Sequence, residues 1–368
     1  MQKKLIALAV AAVTSGAAFA QTNVTIYGNV DMGVMFRQGN NGAVANGQSQ
    51  YDLQSAASQS HIGFKGVEDL GNGLKALFDL QYRISPDTST GLATAGHQYV
   101  GLTGGFGTVV AGYLDGIRYG IYGKYSPFGN YSVASLTSMT TQYDRAANAL
   151  AYISPSFSGF TVILATATNT QGAEGSLNGA HLTPKPSGGN TGDDRLLSAN
   201  LIYANGPLSI DLDYETTRAV GYDSDRLYVA TAGASYDFGV VKVSGVYDVI
   251  KGDVNSFIGG NTVGAAFGLS PTQKYDRRNW FIGASVPLGK FSVLGMFGQV
   301  KDKTLTDADA WKVGVGARYS LSKRTELYAD YAHIKNDTNA GYTINPMGNG
   351  AGTSVGVNGL AMGIKHSF

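Results

Sequence analysis

GLAMGIKHSF, residues 359–368, sets Leu360, Met362 and Ile364 at every second place and then ends on Phe368. Ala361, Gly363, Lys365 and Ser367 fall between them. A period of two puts the two sets on opposite faces of an extended strand, one apolar and one small or polar. A chain end frays unless something ties it down. A strand that runs to Phe368 therefore needs a partner that holds it.

The same period recurs along the chain. Val24, Ile26, Val30, Met32, Val34 and Phe36 alternate with Thr25, Tyr27, Asn29, Asp31 and Arg37. In residues 74–84, Leu74, Ala76, Phe78 and Leu80 oppose Lys75, Asp79, Gln81 and Arg83. Leu208, Ile210, Leu212 and Tyr214 oppose Ser209, Asp211, Asp213 and Glu215, and Trp311, Val313 and Val315 oppose Lys312, Gly314 and Gly316. In each segment the charges share one face. Such segments of about ten residues are the mark of strands with one greasy and one wet side.

The connections alternate as well. Tight turns fall at 68–73, 104–107, 154–159, 205–207, 237–239, 287–290 and 320–324. Longer polar or glycine-rich stretches fall at 38–50, 86–96, 115–143, 170–192, 219–224, 251–273, 302–309 and 337–354. Seven tight turns interleaved with eight longer loops give about sixteen antiparallel strands. An open sheet of that size would leave two unpaired edges, which hydrocarbon does not tolerate. Pairing the strand from Val24 with the strand ending at Phe368 removes both. The expectation is an all-β, 16-stranded antiparallel transmembrane β-barrel with Phe368 on its periplasmic aromatic rim.

Composition and the first residues agree. Lys3 and Lys4 precede an apolar run, Leu5 to Val13, and Ala18-Phe19-Ala20 offers a small-residue cleavage site. This is the anatomy of a secretory signal peptide over 1–20, leaving a mature chain from 21 to 368. Without those two lysines the net charge is about −1, too balanced for a nucleic-acid partner. There is no cysteine, so neither disulfides nor thiolate metal sites are expected. Charged residues are only 14%, while glycine numbers 51 and tyrosine 22. No segment after residue 20 has the eighteen apolar residues of a spanning helix, so a barrel is the remaining membrane architecture.

One segment resists the pattern. In residues 290–300, Phe291, Val293 and Phe297 lie on one face, but Leu294, Met296 and Val300 lie on the other. That second apolar face contacts another subunit or packs against an inward loop; the pattern leaves both open.

Candidate lumen residues follow from the wet faces: Arg37, His61, Lys65, Lys75, Arg83, Arg145, Lys312, Arg318 and Lys365, with Asp31, Asp79, Asp211, Asp213 and Glu215 among the acids. The loop 115–143 is the sharper feature. Tyr119, Tyr122, Tyr125, Phe128 and Tyr131 recur among Gly116, Gly120, Gly123 and Gly129. So many rings need a surface to pack on. Folding the loop into the barrel supplies one, narrows the pore, and brings Asp115, Arg118 and Lys124 opposite the basic wall.

The stretches 24–33 (VTIYGNVDMG), 62–81 (IGFKGVEDLGNGLKALFDLQ), 99–113 (YVGLTGGFGTVVAGY), 145–160 (RAANALAYISPSFSGF) and 363–368 (GIKHSF) resemble the trimeric general porins of Gram-negative bacteria, in particular the β-proteobacterial and neisserial branch. The resemblance implies a sixteen-stranded barrel in the cell outer membrane, a homotrimer, an inward third external loop, no cofactor, and passive diffusion of ions and small hydrophilic solutes. It also implies an arginine cluster at the constriction. Arg145 matches one such arginine, while His61 and His97 stand where others are common. Two histidines in arginine positions imply an anion preference that grows as pH falls from neutral to about 5.5, since an unperturbed imidazole titrates at about 6.5.

Two other functions have weaker support. A substrate-specific channel needs a track of aromatic or arginine side chains, for which Tyr119–Tyr131 is the candidate. An outer-membrane enzyme needs a nucleophile, a base and an orienting group together. The five histidines are scattered, and there is no cysteine.

Overall fold

The computed structural model describes residues 23–42, 49–88, 92, 94–140, 144–168, 195–218, 226–253, 257–258, 261–262, 274–344 and 356–368. The expected leader (1–20), the loop stretches 170–192 and 219–224, the end of the 115–143 loop, and parts of 38–50, 86–96, 251–273 and 337–354 lie outside these.

Sixteen staves form one closed antiparallel sheet. The first eight are β1 Asn23–Gln38, β2 in two pieces (Gln50–Gln54 and His61–Gly71), β3 Leu74–Arg83, β4 Thr94–Gly104, β5 Gly107–Asp115, β6 Arg145–Ile153, β7 Phe160–Thr168 and β8 Arg195–Asn205. The rest are β9 Leu208–Arg218, β10 Arg226–Asp237, β11 Lys242–Asp253, β12 Lys274–Leu288, β13 Phe291–Asp302, β14 Ala310–Ser320, β15 Thr325–Asn336 and β16 Asn358–Ser367. A two-residue hairpin, Phe257–Ile258 with Asn261–Thr262, is separate from this sheet.

Closure follows the expected seam. β1 pairs with β16 from Asn29 opposite Ser367 to Gln38 opposite Asn358. Gly28 and Phe368 then exchange both backbone hydrogen bonds, at 3.2 and 3.1 Å. The terminal residue is thus part of the ladder. Seven tight turns join the staves in pairs, as the turn residues indicate.

The two pieces of β2 both pair with β1, Gln50–Arg37 to Gln54–Gly33 and His61–Asn29 to Val67–Asn23. Residues 55–60 step out of the ladder between them, and the break is held by one side chain. Asp31 accepts the amide N–H of Ala57 at 2.8 Å and of Ser58 at 2.5 Å, and Tyr328 donates its hydroxyl to the other carboxylate oxygen at 2.6 Å. A side chain expected to be a lumen charge serves as a cap for this step.

Alternation sets the faces. Ile26 and Met362 are more than half exposed outward, while Asp31, Met35 and Ala361 are fully buried on the inner side. Rings cluster at both outer margins, as the polar boundaries of a bilayer require. Phe160–Tyr203, Tyr236–Phe238 and Phe291–Tyr319 pair at 4.5–4.7 Å near the tight turns. Phe36–Tyr51 at 4.7 Å and Phe297–Trp311 at 5.8 Å lie toward the long loops.

Candidate functional site

The residues after β5 fold against the inner wall. Gly116 opens a helix, α1 (Ile117–Tyr125), and a single 3₁₀ turn follows at Leu136–Met139. Arg118, Tyr122 and Tyr125 lie at spacing i, i+4, i+7, hence on one helix face. That face meets the wall acids. Arg118 and Tyr122 both donate to Asp248 on β11, and Tyr125 and Lys124 donate to Asp211 on β9. Farther along, Ser132 donates to Asp330 at 2.7 Å, and Lys312 donates to the Ser135 carbonyl at 2.6 Å.

Apolar contacts fill the rest of that seam. Ile121, Phe128, Val133 and Leu136 pack with Leu294, Met296 and Val300 of β13 in one buried cluster. The second apolar face of residues 290–300 therefore packs on the inward segment. Glycine makes the approach possible: a Cβ on Gly314 would lie 2.6 Å from Ala134 Cβ and 3.2 Å from its Cα, and one on Gly233 would lie 2.4 Å from the Tyr125 ring. A larger side chain at either place would push the segment off the wall.

The basic candidates collect elsewhere, on β2 to β6. Arg145 Nε lies 2.6 Å from Asp115 Oδ1, and its guanidinium sits 5.1 Å from the Tyr119 ring centre. Arg83 Nη2 bonds Asp144 at 3.0 Å. His97 lies between two acids, with Nδ1 at 3.2 Å from Asp115 and Nε2 at 3.5 Å from Asp79. Tyr27 donates to the same Asp79 at 2.6 Å, Lys65 Nζ lies 4.9 Å over the Tyr27 ring, and the His61 ring meets Tyr27 edge-on at 6.0 Å. His97 shares the inner face with Tyr99, two places on, and a bulge lies beside it. Leu80 pairs with Gln98 and Tyr82 with Ala95, so Gln81 alone faces both Gly96 and His97.

The remaining candidates stand apart from this group. Arg37 bonds Asp52 at 2.6 Å and the Ile344 carbonyl at 3.3 Å, beneath the 337–344 segment. Lys75 is exposed near the tight-turn end, opposite Asp69 and Thr103. Arg118 is 1% exposed, sealed in the contact between α1 and the acidic wall, so it is not a lumen-lining cation. Lys124 faces the same acidic wall rather than the basic one, with 40% of its side chain exposed. Asp115 does stand with the basic group, as the partner of Arg145 and His97.

Four residues that anchor or flank the inward segment carried little signal in the sequence: Asp248, Asn279, Asp330 and Ser135. Asp248 sits between Val246 and Ile250 on its inner face, and Asp330 between Tyr328 and Ala332. Apolar neighbours on the same face hide an inward acid from a simple alternation.

A family model described as Gram-negative porin matches residues 7–339. The chain is 31% identical to outer membrane porin protein 32 of Delftia acidovorans, with 100% of both chains covered. It is 29% identical to major outer membrane protein P.IB of Neisseria gonorrhoeae, over 88% of this chain and 91% of that one. Among solved structures, the anion-selective porin from Comamonas acidovorans is similar with a TM-score of 0.70 at 27% identity, covering 95% of this chain and 100% of that one. OmpF of Salmonella typhi, in complex with daunomycin, reaches a TM-score of 0.67 at 17% identity over 94% of this chain, a likeness of fold alone.

Proposed function

The chain belongs to the Gram-negative porin family, and from that premise we propose that it works as a homotrimer whose pores are narrowed by residues 115–143 and flanked by a mixed-charge wall. It is an outer-membrane diffusion channel, and members of its family are channels rather than enzymes. Ions and small hydrophilic solutes cross it passively, with the outward apolar face against membrane lipids.

One observation carries the constriction: the segment from Gly116 to Thr140 is bonded to inward-facing side chains of β9, β11, β14 and β15. A chain segment laid on the inner wall takes lumen cross-section from permeating water. The lumen face opposite is set by Lys65, Arg83, His97 and Arg145, of which the last three each lie near a carboxylate. Paired charges of both signs favour weak selectivity. The preference leans to anions because Lys65 has no bonded acid among the described residues and the two histidines add positive charge on protonation. The relative from Comamonas acidovorans is named anion-selective, which agrees in sign.

A substrate-specific channel is less well supported. Three of the five rings of that track are spent on the wall: Tyr122, Tyr125 and Phe128 are at most 3% exposed, which leaves Tyr119 and Tyr131 partly open.

Purified protein in planar bilayers tests the reading. Conductance that rises linearly with salt, a small reversal potential of anionic sign, and flux of unrelated sugars in proportion to size are the expected results. Saturation by one solute class would replace diffusion with specific transport. Native mass measurement checks the trimer directly.

A further inference from the structure

Arg278 on β12 and Lys301 on β13 are direct partners in the ladder, two cations side by side on the outer face of the barrel. Alternation fixes that face: Arg277, Asn279 and Val300 are buried on the inner side, so their neighbours point out. Opposed side chains start about 5 Å apart at Cβ, and like charges there repel. The nearby acids engage the flanks of the pair. Asp276 lies 3.4 Å from Lys251 on β11, and Asp309 approaches Lys301 only to 4.0 Å. Arg278 has no salt bridge among the described residues, and its Nε is buried without a hydrogen-bond partner. Exposed Lys303, whose backbone N–H bonds the Asp276 carbonyl, adds positive charge, while exposed Lys335 and Asp337 farther round offset each other. The excess therefore sits on β12 and β13.

An aromatic bed lies next to it on the same face. Trp280 is two residues from Arg278 toward the tight turns, about 7 Å along the strand. Ring contacts run from Trp280 to Phe297 at 5.6 Å and from Phe297 to Trp311 at 5.8 Å. A groove of about 730 Å³ continues from Trp280 toward the tight turns, where Ala232, Ala234 and Gly245 leave room between Tyr247 and Ile282. The cations thus stand at the long-loop margin, just above the belt of rings, where the headgroups of the external leaflet begin. An arginine fork takes two oxygens of one phosphate and a lysine a third. A free anion would offer the same oxygens but would leave the rings and the groove unused.

We propose that Arg278 and Lys301 bind the phosphate of an anionic lipid in the external leaflet, with its acyl chains over Trp280 and Phe297 and along the groove. The site rests on the barrel standing in a bilayer and is independent of which solutes the pore passes.

Trp280 and Trp311 are the only tryptophans of the chain, so tryptophan fluorescence reports on this patch. The purified protein is reconstituted in phosphatidylcholine vesicles that contain a minor fraction of a lipid with brominated chains, either phosphatidic acid or phosphatidylcholine. Brominated phosphatidic acid should quench as though enriched roughly fivefold at the patch, the weight of one surface cation. Arg278→Gln/Lys301→Gln should bring the two lipids level. Lys301→Gln alone changes an exposed side chain and should lose part of the excess, which gives a reading if the double variant does not assemble. Lys75→Gln, near the tight turns, should lose none. Four results overturn the site: equal quenching by both lipids in the wild type, an excess that survives in the double variant, an excess abolished by millimolar inorganic phosphate at constant ionic strength, or protection from both lipids. The third would make the pair a site for free anions, and the last would place protein over this face.

Discussion

Lys312 Nζ donates to the Ser135 carbonyl across 2.6 Å, so a fully buried lysine on β14 holds a turn 177 positions earlier in the chain. Its other bonded partner is Ser138 Oγ at 3.0 Å, and no carboxylate is within salt-bridge distance among the described residues. A buried hydrogen bond contributes about 0.5–1.5 kcal/mol net. Lys312→Met keeps the stem and removes the donor. The barrel should still assemble, because the β14 ladders use only backbone groups. The inward segment should open more often, which added protease reads as faster cleavage between 126 and 140. Cleavage at the wild-type rate would mean that Lys312 anchors nothing.

The second prediction contrasts two glycines on neighbouring staves. A Cβ on Gly314 meets Ala134 backbone and side chain at 2.6–3.2 Å, contacts that a flexible tip cannot relieve, whereas nothing lies within 4 Å of one on Gly295. Gly314→Val should displace the inward segment and raise single-channel conductance, with the barrel intact on gels. Gly295→Ala should leave conductance within error. Equal conductance in both variants would show that the segment does not restrict the pore.

Much of this architecture is written in the chain's period-two pattern, because lipid demands it. The outward face tolerates no charge, so residues such as Val24, Ile26, Leu212 and Met362 report their own orientation. The inward face obeys no such rule. Where the lumen is wet it reads as polar, and Lys65 and Arg83 are legible for that reason; Asp211, Asp213 and Glu215 are legible because the wall beneath α1 is acidic, although they are buried. Where the later part of the inward segment covers it, the face turns apolar or small, and Leu294, Met296 and Gly314 blur the alternation. Arg118 misled for a related reason. A loop cation looks destined for solvent, but helix spacing placed it with Tyr122 on the face that meets Asp248.

Arg145 tests the basic wall. It pairs with Asp115 at 2.6 Å and stacks on Tyr119. Arg145→Gln removes one positive charge and leaves the Asp115 carboxylate facing His97 alone. A unit charge at 4 Å in a water-like medium is worth about 1 kcal/mol, or roughly fivefold in an ion ratio. Screening reduces this at high salt. The chloride-to-potassium permeability ratio should therefore fall by about two- to fivefold at 0.1 M salt and less at 1 M. Reversal potentials under a salt gradient report the ratio. A ratio that does not move, or moves equally at both salt concentrations, would place Arg145 outside the ion path.

The histidines set the pH response. His97 faces Asp79 from β3, Asp115 from β5, the Tyr27 hydroxyl from β1 and Arg145 from β6. His61 bonds the Gln59 carbonyl at 3.0 Å through Nδ1 and touches the Tyr27 ring. Each gains one positive charge when protonated, while solvated carboxylates keep theirs above about pH 5. Between pH 7.5 and about 5.5 the wall can only become more positive. The anion-to-cation permeability ratio should rise across that window, by up to roughly fivefold for each charge added close to the ion path. His97→Gln should remove part of the rise, and the His61→Gln/His97→Gln pair should flatten it. A wild-type ratio that drifts toward cations on acidification would overturn the reading, because protonating either an imidazole or a carboxylate makes the wall more positive. A slope that survives in the double variant would assign the response to other groups.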